Sequence, residues 1–240
     1  MKLLIFYLGL LLSTTSFSQE LTGHELLDKT LTYHDPNGNW SSFNSVLIVT
    51  METPDKPNRV TEIKINLPEE YFYSKATRDN NTTEFILEKD NCKILYNGSA
   101  DFSEEIAEEK RLSCDRATMY KNYYTYLYGL PMKLKDPGTI IGKKVERKTF
   151  HEKEYLVLKA TYEEEVGKDI WHFYFDPTTY AMEVYQFFHS KEGSKEVDSS
   201  SGEYILLTDE VTINNIKMPK NRAWYTNKED KLLGTDILMN

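Results

Sequence analysis

The chain has 240 residues, of which 28% are charged, and its formal net charge is −9 at pH 7. Nucleic acids and anionic membranes repel so acidic a protein, which argues against both as partners. The length suits a single domain, because all-β barrels of about 200–250 residues often form one unit.

The first 18 residues have the three parts of a secretory signal peptide. Lys2 supplies the positive charge, residues 3–12 form an apolar run, and Ser16 and Ser18 are the small residues before the expected cut. A spanning helix needs about 20 apolar residues, and no segment of the chain reaches that length. No cysteine follows the run to carry a lipid anchor. We therefore expect one domain over residues 19–240, located in the periplasm or secreted.

The first half of that domain predicts one helix followed by a meander of strands. Thr22 and Glu25 form a capping box, and the turn signal at residues 35–38 ends the helix. Segments rich in β-branched and aromatic residues then alternate with turn residues. They predict antiparallel strands at residues 43–52, 59–67, 70–76, 83–90 and 93–96. Residues 102–111 are charged and form either a loop or a short helix.

The chain has two cysteines, Cys92 and Cys114. An even number in an exported chain predicts a disulfide, which a loop of this size makes worth about 3 kcal/mol in the chain-entropy model. The alternative is a pair of buried free thiols. Their spacing excludes a catalytic C-x-x-C pair.

Residues 114–127 predict an amphipathic helix rich in tyrosine. Five of the 17 tyrosines of the chain lie between residues 120 and 128. On a 3.6-residue period, one helix face carries Tyr120, Tyr123, Tyr124 and Leu127. Gly129 and Pro131 then end the helix.

The second half predicts strands again, at residues 143–151, 153–162, 169–176, 181–189, 202–209, 211–216, 221–227 and 231–238. Two good helices among so many strands predict a mainly β (α+β) fold with two or three helices. We expect one strongly curved antiparallel sheet, an incomplete barrel, with the first helix and the tyrosine-rich helix on its concave side.

Motifs for catalysis or metal binding are not found in the sequence. Residues 138–144 fail the phosphate-loop pattern in both glycine spacing and the required Ser or Thr. The five histidines show no metal-ligand spacing. We therefore predict no cofactor, no metal site and no catalytic residue.

Three segments carry a resemblance to a known family: YHDPNGNW at residues 33–40, YLYGLPMKLKDPGT at 126–139, and the WYTN and LGTD motifs near the C-terminus. They resemble a family of uncharacterised exported proteins of Bacteroidota. The order of helix, strands, helix, strands resembles the LolA/LolB-like lipoprotein-carrier superfamily. That resemblance implies a half-barrel of about 11 strands that wraps helices and encloses an apolar cavity. No residue motif of those carriers can be transferred to this chain.

The leading functional hypothesis is a monomeric, non-enzymatic carrier for a lipid or other apolar ligand. Its predicted cavity would be lined by Tyr120, Tyr123, Tyr124 and Leu127, with Trp171 and Phe173 as the opposite wall. Three alternatives stay open. The rings form an ordinary packed core, the cavity holds a hydrolase or isomerase site built from His172, Glu163 or nearby tyrosines, or the exposed sheet face binds a protein partner.

Overall fold

The structure is a computed structural model that describes residues 20–190 and 197–239. The predicted signal peptide, residues 1–18, lies outside these ranges. In the described part of the chain the helices are α1 (Gly23–His34), α2 (Glu104–Lys110) and α3 (Cys114–Gly129), with short 3-10 turns at Asn39–Ser42 and Met132–Lys135.

The strands of the described part are β1 (Asn44–Thr53), β2 (Lys56–Asn66), β3 (Tyr71–Arg78), β4 (Asn81–Glu88), β5 (Asn91–Tyr96), β6 (Thr139–Phe150), β7 (Lys153–Tyr162), β8 (Ile170–Phe175), β9 (Met182–Phe188), β10 (Glu203–Ile213), β11 (Ile216–Thr226) and β12 (Leu232–Leu238).

All of these strands form one antiparallel sheet in the order β5-β4-β3-β2-β1-β12-β11-β10-β9-β8-β7-β6. Two meanders are therefore joined where β1 pairs with β12, for example at Val49 and Leu238. Strands β2 and β8 are far apart in this order, yet their residues line the same groove, so the sheet curls strongly. The predicted fold class, a curved antiparallel sheet wrapped around helices, is confirmed.

Two local predictions are corrected. The predicted strand 202–209 continues as the single strand β10 up to Ile213, because Asp209 adopts a left-handed φ of 54° without breaking the ladder, whose register is the same on both sides. Strand β11 begins at Ile216 rather than at residue 221, directly after the tight turn at residues 214–215. The open alternative at residues 102–111 is resolved as a helix, α2, whose Ser103 side chain caps the Ile106 N–H.

Helix α1 begins and ends as its sequence predicts. The Thr22 hydroxyl accepts from the Glu25 N–H at 3.3 Å, and the Glu25 carboxylate accepts from the Thr22 N–H at 2.8 Å. At the other end His34 is buried, and its Nε2 accepts from the Met182 N–H at 2.9 Å. Its Nδ1 therefore carries the proton and donates to the Lys217 carbonyl oxygen at 2.8 Å. His34 thus ties α1 to β9 and β11 as a neutral ring.

Helix α3 runs through the interior and contributes side chains to two clusters of core residues. Tyr124 and Tyr128 pack with residues of β1–β4, whereas Leu127 packs with residues of β7–β10. Tyr123 contacts both clusters. Gly129 at the helix end lies so close to the Trp40 indole that a Cβ would collide with it. The concave side of the sheet is consequently filled with side chains along α3.

Candidate ligand-binding site

Two openings flank α3. The larger, which we call the aromatic groove, has a volume of about 800 Å³. Its walls are the ends of β2 and β3 on one side and residues around β7 and β8 on the other, with α3 as the floor. The smaller, with a volume of about 230 Å³, lies at the N-terminal half of α3 against β2–β5. The two openings share no lining residue.

Aromatic rings from α3 and three strands form the walls of the groove. Tyr126 of α3 lies edge-on to Trp171 of β8, with ring centroids 5.7 Å apart. The Tyr126 and Tyr162 hydroxyls are hydrogen-bonded to each other, and Tyr71 and Phe72 complete the opposite wall. Burial raises the pKa of Tyr162 to about 12 and that of Tyr126 well above its usual value. Both hydroxyls are therefore neutral at physiological pH.

Charged side chains surround the aromatic wall of the groove. Lys121 and Lys133 lie on the α3 side, and Lys168 and Asp169 lie directly before β8. Lys133 forms an ion pair with Asp136. A surface of this kind accommodates an apolar group between the rings and a polar group at the edge.

The residues predicted to line one cavity are placed in three different surroundings. Tyr124, Leu127 and Phe173 are buried in the core, at 4%, 4% and 0% exposure. Tyr123 lies between the two core clusters and stacks on Trp224 at 6.3 Å. Trp171 lines the groove, whereas Tyr120 and part of the largely buried Tyr124 line the smaller pocket. The structure does not bring the six together around one cavity.

Sequence reasoning did not select the groove residues of α3. Lys121, Asn122, Thr125 and Tyr126 face the groove, whereas the chosen face packs into the core. The signal that was available is that α3 is not cleanly two-sided, since tyrosines lie on more than one of its faces. A helix enclosed by a curved sheet buries several faces, so the most aromatic face of α3 packs in the core while a mixed polar and aromatic face borders the groove.

The groups considered for catalysis do not form a site. His172 lies on the outer face of the sheet, where burial and the nearby Lys148 and Lys159 lower its pKa to about 4. Glu163 lies after β7, and no hydrogen bond or ion pair joins it to His172 in the described residues. The described residues also contain no group of three His, Cys, Asp or Glu side chains that could hold a metal ion.

The two cysteines are bonded in a disulfide between β5 and the first residue of α3. The predicted pairing of Cys92 with Cys114 is therefore present in the structure. It anchors the start of α3 to the edge of the sheet, beside the smaller pocket. No helix in residues 20–190 or 197–239 is long and apolar enough to cross a membrane.

An open, curved antiparallel sheet around helices defines the class of fold, and two solved structures resemble the chain over most of its length. A LolA superfamily protein from Nitrosomonas europaea is 9% identical, with 91% of this chain and 92% of that chain covered and a TM-score of 0.49. A DUF1329 family protein from Desulfovibrio piger is 9% identical, with 92% of each chain covered and a TM-score of 0.48. No curated protein matches the chain.

The chain belongs to a family of unknown function (DUF6503), whose model matches residues 1–240. The predicted membership of an uncharacterised family is thereby confirmed. Because that family has no assigned activity, the function has to be argued from the site itself.

Proposed function

We propose that this protein binds and carries an amphipathic molecule, such as a lipid, in the aromatic groove between α3 and the curved sheet. The observation that carries the proposal is the groove itself, about 800 Å³ in volume and walled by Tyr126, Tyr162 and Trp171. Sites for small organic ligands have about 300–1,000 Å³ and are mostly apolar with a few polar groups.

The groove is favoured over the interior as the ligand site because the interior is packed. Tyr124, Leu127 and Phe173 already fill the space on the concave side. A ligand there would have to displace core side chains, at a cost of several kcal/mol each. In the groove, the apolar part of a ligand would cover Trp171 and Tyr126 without disturbing the core.

Binding without chemistry is favoured by the titratable groups around the groove. Tyr126 and Tyr162 have raised pKa values, and one hydrogen bond joins their hydroxyls. The His189 ring is 2.7 Å from Asp169 at the rim, but this pair is exposed, with 58% and 37% of the side chains accessible. In the described part of the chain no Ser or Cys nucleophile is hydrogen-bonded to the His189 ring.

We further propose that the protein acts outside the cytoplasm as a monomer, with residues 1–18 as the cleaved leader. The disulfide between Cys92 and Cys114 supports this location, because such bonds persist in oxidising compartments.

Displacement of a fluorescent fatty acid tests the proposed function. Trp171→Ala should weaken probe binding tenfold or more, because it removes the indole, the largest aromatic ring system of the groove wall. Tyr73→Ala is the matched control, since Tyr73 is half-buried on the outer face of β3 and lines neither opening. A wild-type protein that binds no amphipathic probe, and that carries no lipid in native mass spectrometry after isolation from its own host, would contradict the proposal.

A further inference from the structure

The smaller opening beside α3 differs in chemistry from the groove. Among the described residues, five basic side chains and no carboxylate line it. We call it the arginine pocket, defined by Arg59, Arg78, Lys110, Arg111 and Arg116. The chain as a whole carries a net charge of −9. Like charges that lie close together repel each other. A cluster of five positive charges on a protein with a negative net charge therefore points to a function.

The floor of the arginine pocket follows from the alternation of side chains along β2 and β3. Arg59 and Thr61 lie on the same face of β2 as Ile63 and Ile65, which are core residues. The inner face of the strand therefore changes from apolar to cationic along its length. On β3 the change is the same, from Phe72 to Arg78. The two arginines consequently point towards α3 rather than away from the protein.

The opposite wall comes from the segment between α2 and α3. Arg111 ends α2 in the left-handed conformation, with φ 54°, and Lys110 precedes it. Arg116 lies over the Tyr120 ring at 4.9 Å, and its Nη2 donates to the Tyr120 hydroxyl at 3.4 Å. The disulfide at Cys114 fixes this segment against β5. Three cations are thus held facing the two on the sheet.

In the part of the chain that the structure describes, the four arginines of the pocket form no ion pair. In the described residues, Lys110 is the one member of the set with an ion pair, at 2.7 Å from Glu109. The Nε atoms of Arg59 and Arg78 are buried and have no hydrogen-bond partner there. The carboxylate whose charge acts on Arg59 is that of Asp236. In the sheet, Met51 lies between Arg59 and Asp236, and Asp236 also interacts with the charge of Arg222. Buried donors without a partner are costly.

We propose that the arginine pocket binds an oxyanion, a phosphate or carboxylate group, as a second ligand site that is independent of the aromatic groove. Guanidinium groups present paired N–H donors that match the two oxygens of such a group. The buried hydroxyl of Ser74 and that of Thr83 add neutral donors. The Tyr120 ring, stacked on Phe85 at 5.7 Å and on Tyr124 at 5.9 Å, forms a rigid boundary. A volume of about 230 Å³ suits a small anion or the head of a larger molecule.

Isothermal titration calorimetry at constant ionic strength tests the proposal, with inorganic phosphate and succinate as soluble probes. Vesicles of phosphatidylglycerol and phosphatidylcholine serve as the lipid probe. Arg78→Gln should weaken binding tenfold or more. Arg78→Lys, which keeps the charge but loses the paired N–H donors of the guanidinium group, should weaken it less. Arg147→Gln is the matched control, because Arg147 is exposed, pairs with Glu154 and lies outside the pocket. Trp171→Ala should leave phosphate binding unchanged, which separates this site from the groove.

A second measurement keeps the test valid if a variant is unstable. Without anion, Arg78→Gln should keep or raise the melting temperature, because a like charge is removed; with phosphate, the stabilisation seen in the wild type should be lost. Binding of soluble ions that depends on Arg78 assigns the site to a free ligand. Binding of vesicles alone that depends on Arg78 assigns the same chemistry to a lipid headgroup. No binding of any probe, or binding that Arg78→Gln leaves unchanged, overturns the proposal.

Discussion

Replacing Tyr124 with alanine tests whether the tyrosine face of α3 packs a core or lines a cavity. The Tyr124 side chain is 4% exposed. Its ring centroid lies 6.4 Å from that of Phe72, 5.9 Å from Tyr120, 5.2 Å from Tyr123 and 6.4 Å from Tyr128. Truncation removes all of these contacts and leaves a void beside the smaller pocket, which Tyr124 also lines. The expected loss in the free energy of unfolding is about 3–5 kcal/mol.

Urea unfolding followed by far-UV circular dichroism measures this loss. With a slope of about 3 kcal/mol per molar urea, the midpoint of Tyr124→Ala should fall by about 1–2 M. Tyr124→Phe keeps the ring and should lose about 1 kcal/mol with the hydroxyl. Met119→Ala is the control on the same helix, because Met119 is 38% exposed; it should change the stability by less than about 0.5 kcal/mol.

One result would refute the core assignment. If Tyr124→Ala keeps the wild-type midpoint but binds a fluorescent fatty acid more weakly, the ring faces a ligand cavity, as the sequence-based hypothesis has it. A destabilised variant with unchanged probe affinity supports the core assignment and leaves the aromatic groove as the ligand site. Measuring both quantities on the same samples separates a loss of binding from a loss of fold.

The remaining predictions concern the disulfide and a buried histidine. Reducing the bond between Cys92 and Cys114 should lower the stability by about 3 kcal/mol, since the loop regains its freedom in the unfolded chain; two thiols that alkylate freely in the unreduced native protein would contradict the bond. Burial lowers the pKa of His34, so below about pH 6.5 the unfolded chain binds a proton that the folded one does not. Stability should therefore fall with decreasing pH, by up to about 1.4 kcal/mol per pH unit for this group. His172, whose pKa is lowered to about 4, adds to the slope with the same sign. In urea titrations between pH 6.5 and 5, His34→Gln should make the free energy of unfolding depend less on pH. The same change at the exposed His24 should leave that dependence as it is. An unaltered pH dependence in His34→Gln would count against a neutral His34 ring.

Local signals in the sequence sufficed wherever the interaction itself is local. Thr22 and Glu25 satisfy each other within one helical turn, so the start of α1 is readable from four residues. Strand positions were readable from the period-2 alternation, and the turn at residues 214–215 from its paired asparagines, both of which adopt positive φ. The antiparallel order of the sheet followed because successive strands joined by short turns pair with one another.

The continuation of β10 through Asp209 could not be predicted from such local signals. A polar residue with a left-handed φ looks like a turn in sequence, yet the ladder of β10 with β11 continues on both sides of it. Whether such a residue ends a strand or stays within it depends on the partner strand, which supplies the hydrogen bonds beyond it.

The site was decided by tertiary structure for a similar reason. Periodicity identified a tyrosine-rich face of α3, but it could not say that the curved sheet closes over that face and leaves Tyr126 towards the groove. Arg59, Arg78 and Arg116 are far apart in the chain and follow no motif. They meet only because β2 and β3 pair side by side and the disulfide holds the start of α3 against β5. Patterns along a chain report which residues are buried, whereas the meeting of distant side chains depends on how the sheet curves and where the helix crosses it.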